Sequence, residues 1–227
     1  MTTATYTTEN DTELHELLDV GGLEIIYGGT PLRKADKIII MMHGGSGAQT
    51  FVKLSNALAI QNACYIVPVS ERPTWFPNEI HANIRQNEPW LSIAINIVRR
   101  IIEALRDKNI PNHKIYFMGF AEGGSIVLEY VARYPQQFGG VIALAAGLTG
   151  DPINYSLYSG SLANTTVFLG VGSDDDTIPK ERVNETEAIL KSMNAVTINN
   201  TYPDIGHTIS NDELQMASVV IRSKLFR

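Results

Sequence analysis

Gly119-Phe120-Ala121-Glu122-Gly123-Gly124 follows the apolar run Lys114–Met118 and opens the amphipathic stretch Ser125–Tyr134. That order reads as strand, sharp turn and helix, with glycines on either side of one central residue. Glycine lets a helix leave a strand tightly, and the central side chain is then presented above the sheet. A serine at that point serves as the nucleophile in acyl transfer. Here the residue is Ala121, which has no nucleophilic atom. The rest of the chain decides between a hydrolase disarmed at one position and a fold put to another use.

Outward from this turn, short apolar runs alternate with longer helical patterns. Strands are expected at Leu23–Tyr27, Lys37–Met42, Cys64–Val69, Lys114–Met118, Val141–Leu144, Thr166–Val171 and Ala195–Tyr202. Helices are expected at Ala48–Gln61, Trp90–Lys108, Gly123–Tyr134, Lys180–Met193 and Asp212–Phe226. In the Trp90 helix, Leu91, Ile95, Val98, Ile102 and Leu105 share one face, and Pro111 stops it. Ile38–Met42 is apolar at every residue, which implies a strand buried on both faces. The expected architecture is α/β, a mostly parallel sheet with helices on both sides. A chain of 227 residues suits one such domain, over residues 21–227, behind a flexible lead-in at residues 1–20. Ser70–Pro89 has no clear period and holds Pro73, Pro77 and Pro89. A stretch of that length either roofs a pocket or forms a surface excursion anchored by Trp75.

Charge and composition remove several function classes. The net charge is −6 and no Lys/Arg-rich run occurs, so phosphate backbones would be repelled and nucleic acid is not an expected partner. The longest apolar stretches, Ile38–Met42 and Val141–Leu148, fall far short of the ~20 residues that cross a bilayer. No membrane insertion is expected. Met1–Asn10 has neither a basic start nor an apolar core, so it does not read as a signal peptide. The lone cysteine, Cys64, lies in an apolar run and reads as a buried thiol in a reducing compartment. A cytoplasmic location is the resulting expectation.

Acyl transfer needs a nucleophile, a base, an acid that orients the base, and donors for the oxyanion. In sheets of this kind the first three follow different strands in the order nucleophile, acid, histidine. Ala121, the cluster Asp174-Asp175-Asp176 and His207 occur in that order, each after a strand. The strand Lys37–Met42 runs into His43-Gly44-Gly45-Ser46-Gly47, whose bare amides suit an oxyanion. Singly, each piece has a plain structural reading. The aspartates offer N-caps ahead of Pro179, and His43 braces its own loop. The aspartates lack further oxygen ligands, and His15, His81 and His113 show no metal spacing, so no metal is expected. Gly45-Ser46-Gly47 with Glu71 downstream lacks the third glycine of a dinucleotide loop, so no cofactor is expected either. It is the joint occurrence of four pieces, in order, that points to hydrolysis.

On these residues the chain resembles the phospholipase/carboxylesterase family of α/β-hydrolases, which includes acyl-protein thioesterases and small carboxylesterases. The resemblance runs from about Lys37 to the C-terminus. Met42-His43-Gly44-Gly45-Ser46-Gly47 is similar to its L-H-G-x-G strap, and Pro73-Thr74-Trp75-Phe76 to its S-W-F segment. Asn109–Ile115 resembles G-I-P-x-x-R-I, Gly119–Gly124 resembles G-F-S-Q-G-G, and Tyr134-Pro135 through Leu144 resembles Y-P…F-x-G-x-x-A-L-S. Asp175–Pro179 resembles D-x-x-V-P, which singles out Asp175, and Gly206–Ser210 resembles G-H-x-I-S. The resemblance implies an α/β-hydrolase fold without a separate cap domain. It makes His207 the base, Asp175 its orienting acid, and the amides of Gly45 and Glu122 the oxyanion hole. Gly44, Trp75, Phe76, Leu148 and Ile178 would contact substrate. The chain departs from the pattern at Ala121, in place of serine, and at Glu122, in place of glutamine. The implied function is a serine carboxylesterase acting on short-chain or aryl esters, lysophospholipids or thioesters, here without its nucleophile. The alternative is a pseudoenzyme that binds an acyl or lactone-like ligand. A small-molecule ester is the expected partner, and the resemblance admits a homodimer.

Overall fold

A computed structural model describes Ala4–Tyr6 and residues 18–223. Eight strands form one sheet: β1 (Ala4–Tyr6), β2 (Ile25–Gly29), β3 (Lys37–Met42), β4 (Ala63–Pro68), β5 (Ile115–Phe120), β6 (Gly140–Leu144), β7 (Thr166–Gly172) and β8 (Val196–Tyr202). Their order is β1-β2-β4-β3-β5-β6-β7-β8, parallel throughout except where β2 runs antiparallel to β4. All seven expected strands form, with ends shifted by a residue or two.

The eighth strand falls within the segment expected as a lead-in, residues 1–20. Ala4–Tyr6 lies in register with Ile25–Tyr27, and Leu18 and Val20 are buried. A three-residue Thr-containing segment has no period of its own, so the edge of β2 organises it rather than local preference.

Alternation along the central strands assigns the two faces. Ile38, Ile40 and Met42 join one core cluster, and Ile39 and Met41 the other. After the one-turn helix α3 (Ile84–Asn87), the helices α4 (Trp90–Asp107), α5 (Glu122–Arg133) and α6 (Lys180–Ser192) lie over the first cluster. Residues of α1 (Ala48–Phe51), α2 (Leu54–Leu58) and α7 (Asn211–Arg222) pack into the second. The expected face of α4 is buried as read, with Ala94 and Ile101 widening it. The single helix expected at Ala48–Gln61 is instead two short ones, α1 and α2, separated by a turn and closed by Ala59 in the left-handed conformation. The end of the helix expected to run to Phe226 lies outside the described residues. Between β6 and β7 the described chain forms one 3₁₀ turn, Tyr155–Leu157, and no cap domain. Cys64 is fully buried, and burial pushes its thiol up to about 12.

Register places the carboxyl ends of the central strands at one rim. Met42 is opposite Gly119, Phe120 is opposite Leu144, and Leu144 is opposite Gly170. Loops leaving β3, β5, β7 and β8 therefore open on the same side, where ligands of open α/β sheets sit.

Candidate active site

The turn from β5 into α5 holds Ala121 at φ 52°, ψ −123°, a conformation costing about 1–3 kcal/mol for a residue with a side chain. Two hydrogen bonds fix it: Ala121 donates to the Leu144 carbonyl at 3.0 Å and accepts from the Ser125 N–H at 3.0 Å. The glycines do what the sequence asks of them. A Cβ on Gly123 would lie 2.0 Å from the Met42 carbonyl oxygen, and one on Gly119 would lie 2.5 Å from Gly123. The helix therefore starts hard against β3 and β5, and Ala121 is pushed up over the rim.

The β3 loop arrives beside it. A Cβ on Gly44 would stand 3.4 Å from the Ala121 Cβ, so the strap and the elbow are in contact. Gly45 is exposed, and its N–H meets no protein acceptor among the described residues. Glu122 is the first residue of α5, and the first N–H groups of a helix have no intrahelical partner. Two free amides thus flank the position of residue 121.

His43 braces the strap, as expected. Its Nδ1 bonds the Gly44 carbonyl at 2.7 Å and its Nε2 accepts the Ser70 N–H at 3.3 Å. That pairing requires the neutral ring, and burial lowers its pKa accordingly. Trp75 clamps both halves of the rim. Its indole N–H donates to the His43 carbonyl at 2.8 Å, and its backbone N–H donates to Glu122 Oε2 at 2.8 Å. Burial raises the Glu122 pKa, and the Trp75 N–H partly offsets this. The Glu122 carboxyl is thereby turned toward the Trp75 backbone.

His207 follows β8 and Asp175 follows β7, and the two meet. His207 Nδ1 lies 2.9 Å from Asp175 Oδ2 and 3.1 Å from Oδ1. The Asp175 side chain is fully buried, and its Oδ1 also accepts the N–H groups of Thr177 and Ile178, each at 2.9 Å. Donors converging on one carboxylate fix its position and aim. With the Nδ1 proton committed to Asp175, His207 keeps Nε2 as its free acceptor. Its ring stacks on Phe120, the residue before Ala121, at 4.9 Å between centroids. Asp174 and Asp176 bond only Ser173 and Thr177 locally, and the N-cap of α6 is Pro179 without a side-chain bond. The expected aspartate N-cap is thus replaced by a tight turn around Asp175.

Of the residues expected to contact substrate, Trp75, Phe76, Leu148 and Ile178 are buried, at 6%, 1%, 0% and 2% exposed. Apolarity beside a motif cannot distinguish lining from underpinning. The sequence reading also missed Glu213. Its Oε2 accepts the Ser210 N–H and hydroxyl, tying the His207 loop to α7, while its buried Oε1 has no hydrogen-bond partner among the described residues. Burial and, more weakly, the Asp175 charge push its carboxyl up. The Ser-x-x-Glu spacing at Ser210 was the available signal. Among the described residues no cluster of potential metal ligands occurs, and no helix is long and apolar enough to cross a membrane.

Residues 26–225 match the phospholipase/carboxylesterase family. The chain belongs to that family. This member is 34% identical to a phospholipase/carboxylesterase from Dyadobacter fermentans of known structure, with a TM-score of 0.85 over 88% of this chain and 97% of that one. It is 26% identical over 159 residues to a probable carboxylesterase, SOBER1-like, from Arabidopsis thaliana, covering 67% of this chain and 60% of the relative. It is 24% identical over 161 residues to acyl-protein thioesterase 1 from Gibberella zeae, covering 67% and 68%. The matches reach only 58–60% of the length of the plant carboxylesterases. The fold is that of the α/β-hydrolases.

Proposed function

We propose that this chain carries the site of a serine-type carboxylic ester hydrolase whose nucleophile position is held by Ala121, so that it binds an ester without turning it over. The observation that carries this reading is the Asp175–His207 pair at 2.9 Å, beside a strained elbow built to present residue 121. With serine at 121, His207 Nε2 takes the hydroxyl proton as the oxygen adds to the ester carbonyl carbon. The amides of Gly45 and Glu122 hold the resulting oxyanion. The same proton passes to the departing alkoxide as the C–O bond breaks, and water then releases the acid by the reverse steps. Asp175 orients the ring and stabilises its charged form. In the chain as it stands, the two amides can still receive the ester carbonyl oxygen, but neither the oxyanion nor the acyl-enzyme can form.

The Ala121→Ser variant tests this directly. Hydrolysis of short p-nitrophenyl esters should rise by about 10³-fold or more over the parent chain, the scale on which nucleophile loss is felt. A variant that folds but stays at background sinks the hydrolase reading. If it also binds acyl or lactone-like ligands unchanged, the pseudoenzyme reading takes its place; Ala121 itself favours that second reading. Short-chain esters, thioesters and lysophospholipids are compared by an acyl-length profile of the same variant.

A further inference from the structure

The chain has two tryptophans, and both line one pocket of about 380 Å³ that includes none of Ala121, Asp175 and His207. The pocket lies between Leu23, the segment following β4, and the outer face of α4. On that face Ile93 is 55% exposed, and Trp90 and Ile97 are half-buried, so an apolar wall stands open to water. Three charged residues border it: Glu71, Arg72 and Arg100. Arg100 is already committed, because its guanidinium donates to the carbonyls of Val20 and Gly21. Arg72 is not. Its guanidinium lies over the Trp90 ring, 5.0 Å from the centroid, and no ion pair holds it among the described residues. A cation over a ring face uses none of its N–H groups, which stay available to an acceptor.

We propose that this pocket binds a monocarboxylate with an apolar tail, the carboxylate on Arg72 and the tail against Trp75, Trp90, Ile93 and Ile97. A single uncommitted cation suits a single negative charge, and the planar guanidinium fork matches the two oxygens of a carboxylate. The volume falls within the ~300–1,000 Å³ of small-molecule pockets, and apolar walls with one placed charge are their usual make-up. Glu71 on the border opposes an anion, which fixes the sign of a second variant. The binding stands apart from ester hydrolysis, since it uses neither the elbow nor the Asp175–His207 pair.

The test is a titration of the full chain with octanoate, followed by tryptophan fluorescence. Both tryptophans line the pocket, and because Trp75 also clamps the catalytic rim, the Arg72 and His207 variants assign the signal to one site or the other. Octanamide serves as the neutral counterpart. The proposal expects a saturable response to octanoate and at least tenfold weaker octanoate binding in Arg72→Gln, with octanamide binding unaltered. Glu71→Gln should tighten octanoate, and His207→Ala should leave it unchanged. Arg72 is exposed, so an unchanged melting temperature in Arg72→Gln separates lost binding from lost fold. The proposal is overturned if octanoate gives no saturable response, or if octanamide binds as well as octanoate. It is equally overturned if Arg72→Gln binds octanoate normally, or if His207→Ala abolishes binding, which would place the ligand at the other site.

Discussion

Glu122 is the residue at which this chain pairs an unusual side chain with an ordinary structural task. Its carboxyl accepts the Trp75 N–H, and a glutamine amide oxygen could do the same. The difference is charge. Burial raises the Glu122 pKa in the folded chain, so folding favours its protonated form. That contribution is fully present below the unfolded value, about 4.3, and is lost as pH rises through the folded value. Glu122→Gln should therefore be more stable than the parent at neutral pH, with the gain vanishing toward pH ~4. Melting temperatures measured across pH check this; a gain independent of pH would mean that charge burial is not the cause. The sequence reading located residue 122 but not its partner. Trp75 lies far away in the chain, in a segment with no period, and only the folded rim brings the two together.

Among the elements, α7 shows how a short helix controls a loop. Its capping box is complete: Ser210 Oγ accepts the Glu213 N–H at 3.2 Å, and Glu213 Oε2 accepts the Ser210 N–H at 2.7 Å. Ser210→Ala should cost about 1–2 kcal/mol in urea unfolding, toward the upper end because a buried carboxylate also loses the hydroxyl at 2.9 Å. In an Ala121→Ser background the same change should lower kcat, because His207 stands three residues before the cap. Elements carried by strong periodicity were legible from sequence, as α4 and β3 show. The α1–α2 pair was not. Residues 48–61 have enough apolar positions for one helix, yet the chain turns at Val52-Lys53, with Phe51 and Val52 both buried in the second core cluster. Tertiary burial there overrides local propensity. The segment 70–89 was legible only as anchored by Trp75. Its one-turn helix Ile84–Asn87, capped by Asn83, is held by Asn87, which accepts from Asn78 and donates to Glu79.

For the whole molecule, stability and site geometry share one sheet. Phe117, at the centre of β5, is fully buried and meets Phe138 edge-on at 4.8 Å and Tyr130 at 5.7 Å. Phe117→Ala should cost about 3–5 kcal/mol, read from the shift in urea midpoint at constant slope. The same strand ends three residues later in the elbow, so this variant should also loosen the site in an Ala121→Ser background. Seven strands along the chain, the common rim and the order of site residues followed from the sequence, because each depends on apolar runs and on glycines that nothing larger can replace; the order of strands within the sheet did not. The exposure of Phe76, Leu148 and Ile178 did not, because it depends on what packs above them. The elbow has a consequence for inheritance. Its strained backbone is dictated by the glycines around it and persists with a methyl group where a hydroxymethyl would stand. Alanine and serine codons of the forms GCN and UCN differ by a single base. A serine at this elbow is therefore one nucleotide, and one oxygen atom, away, with no rearrangement of the backbone required along the way.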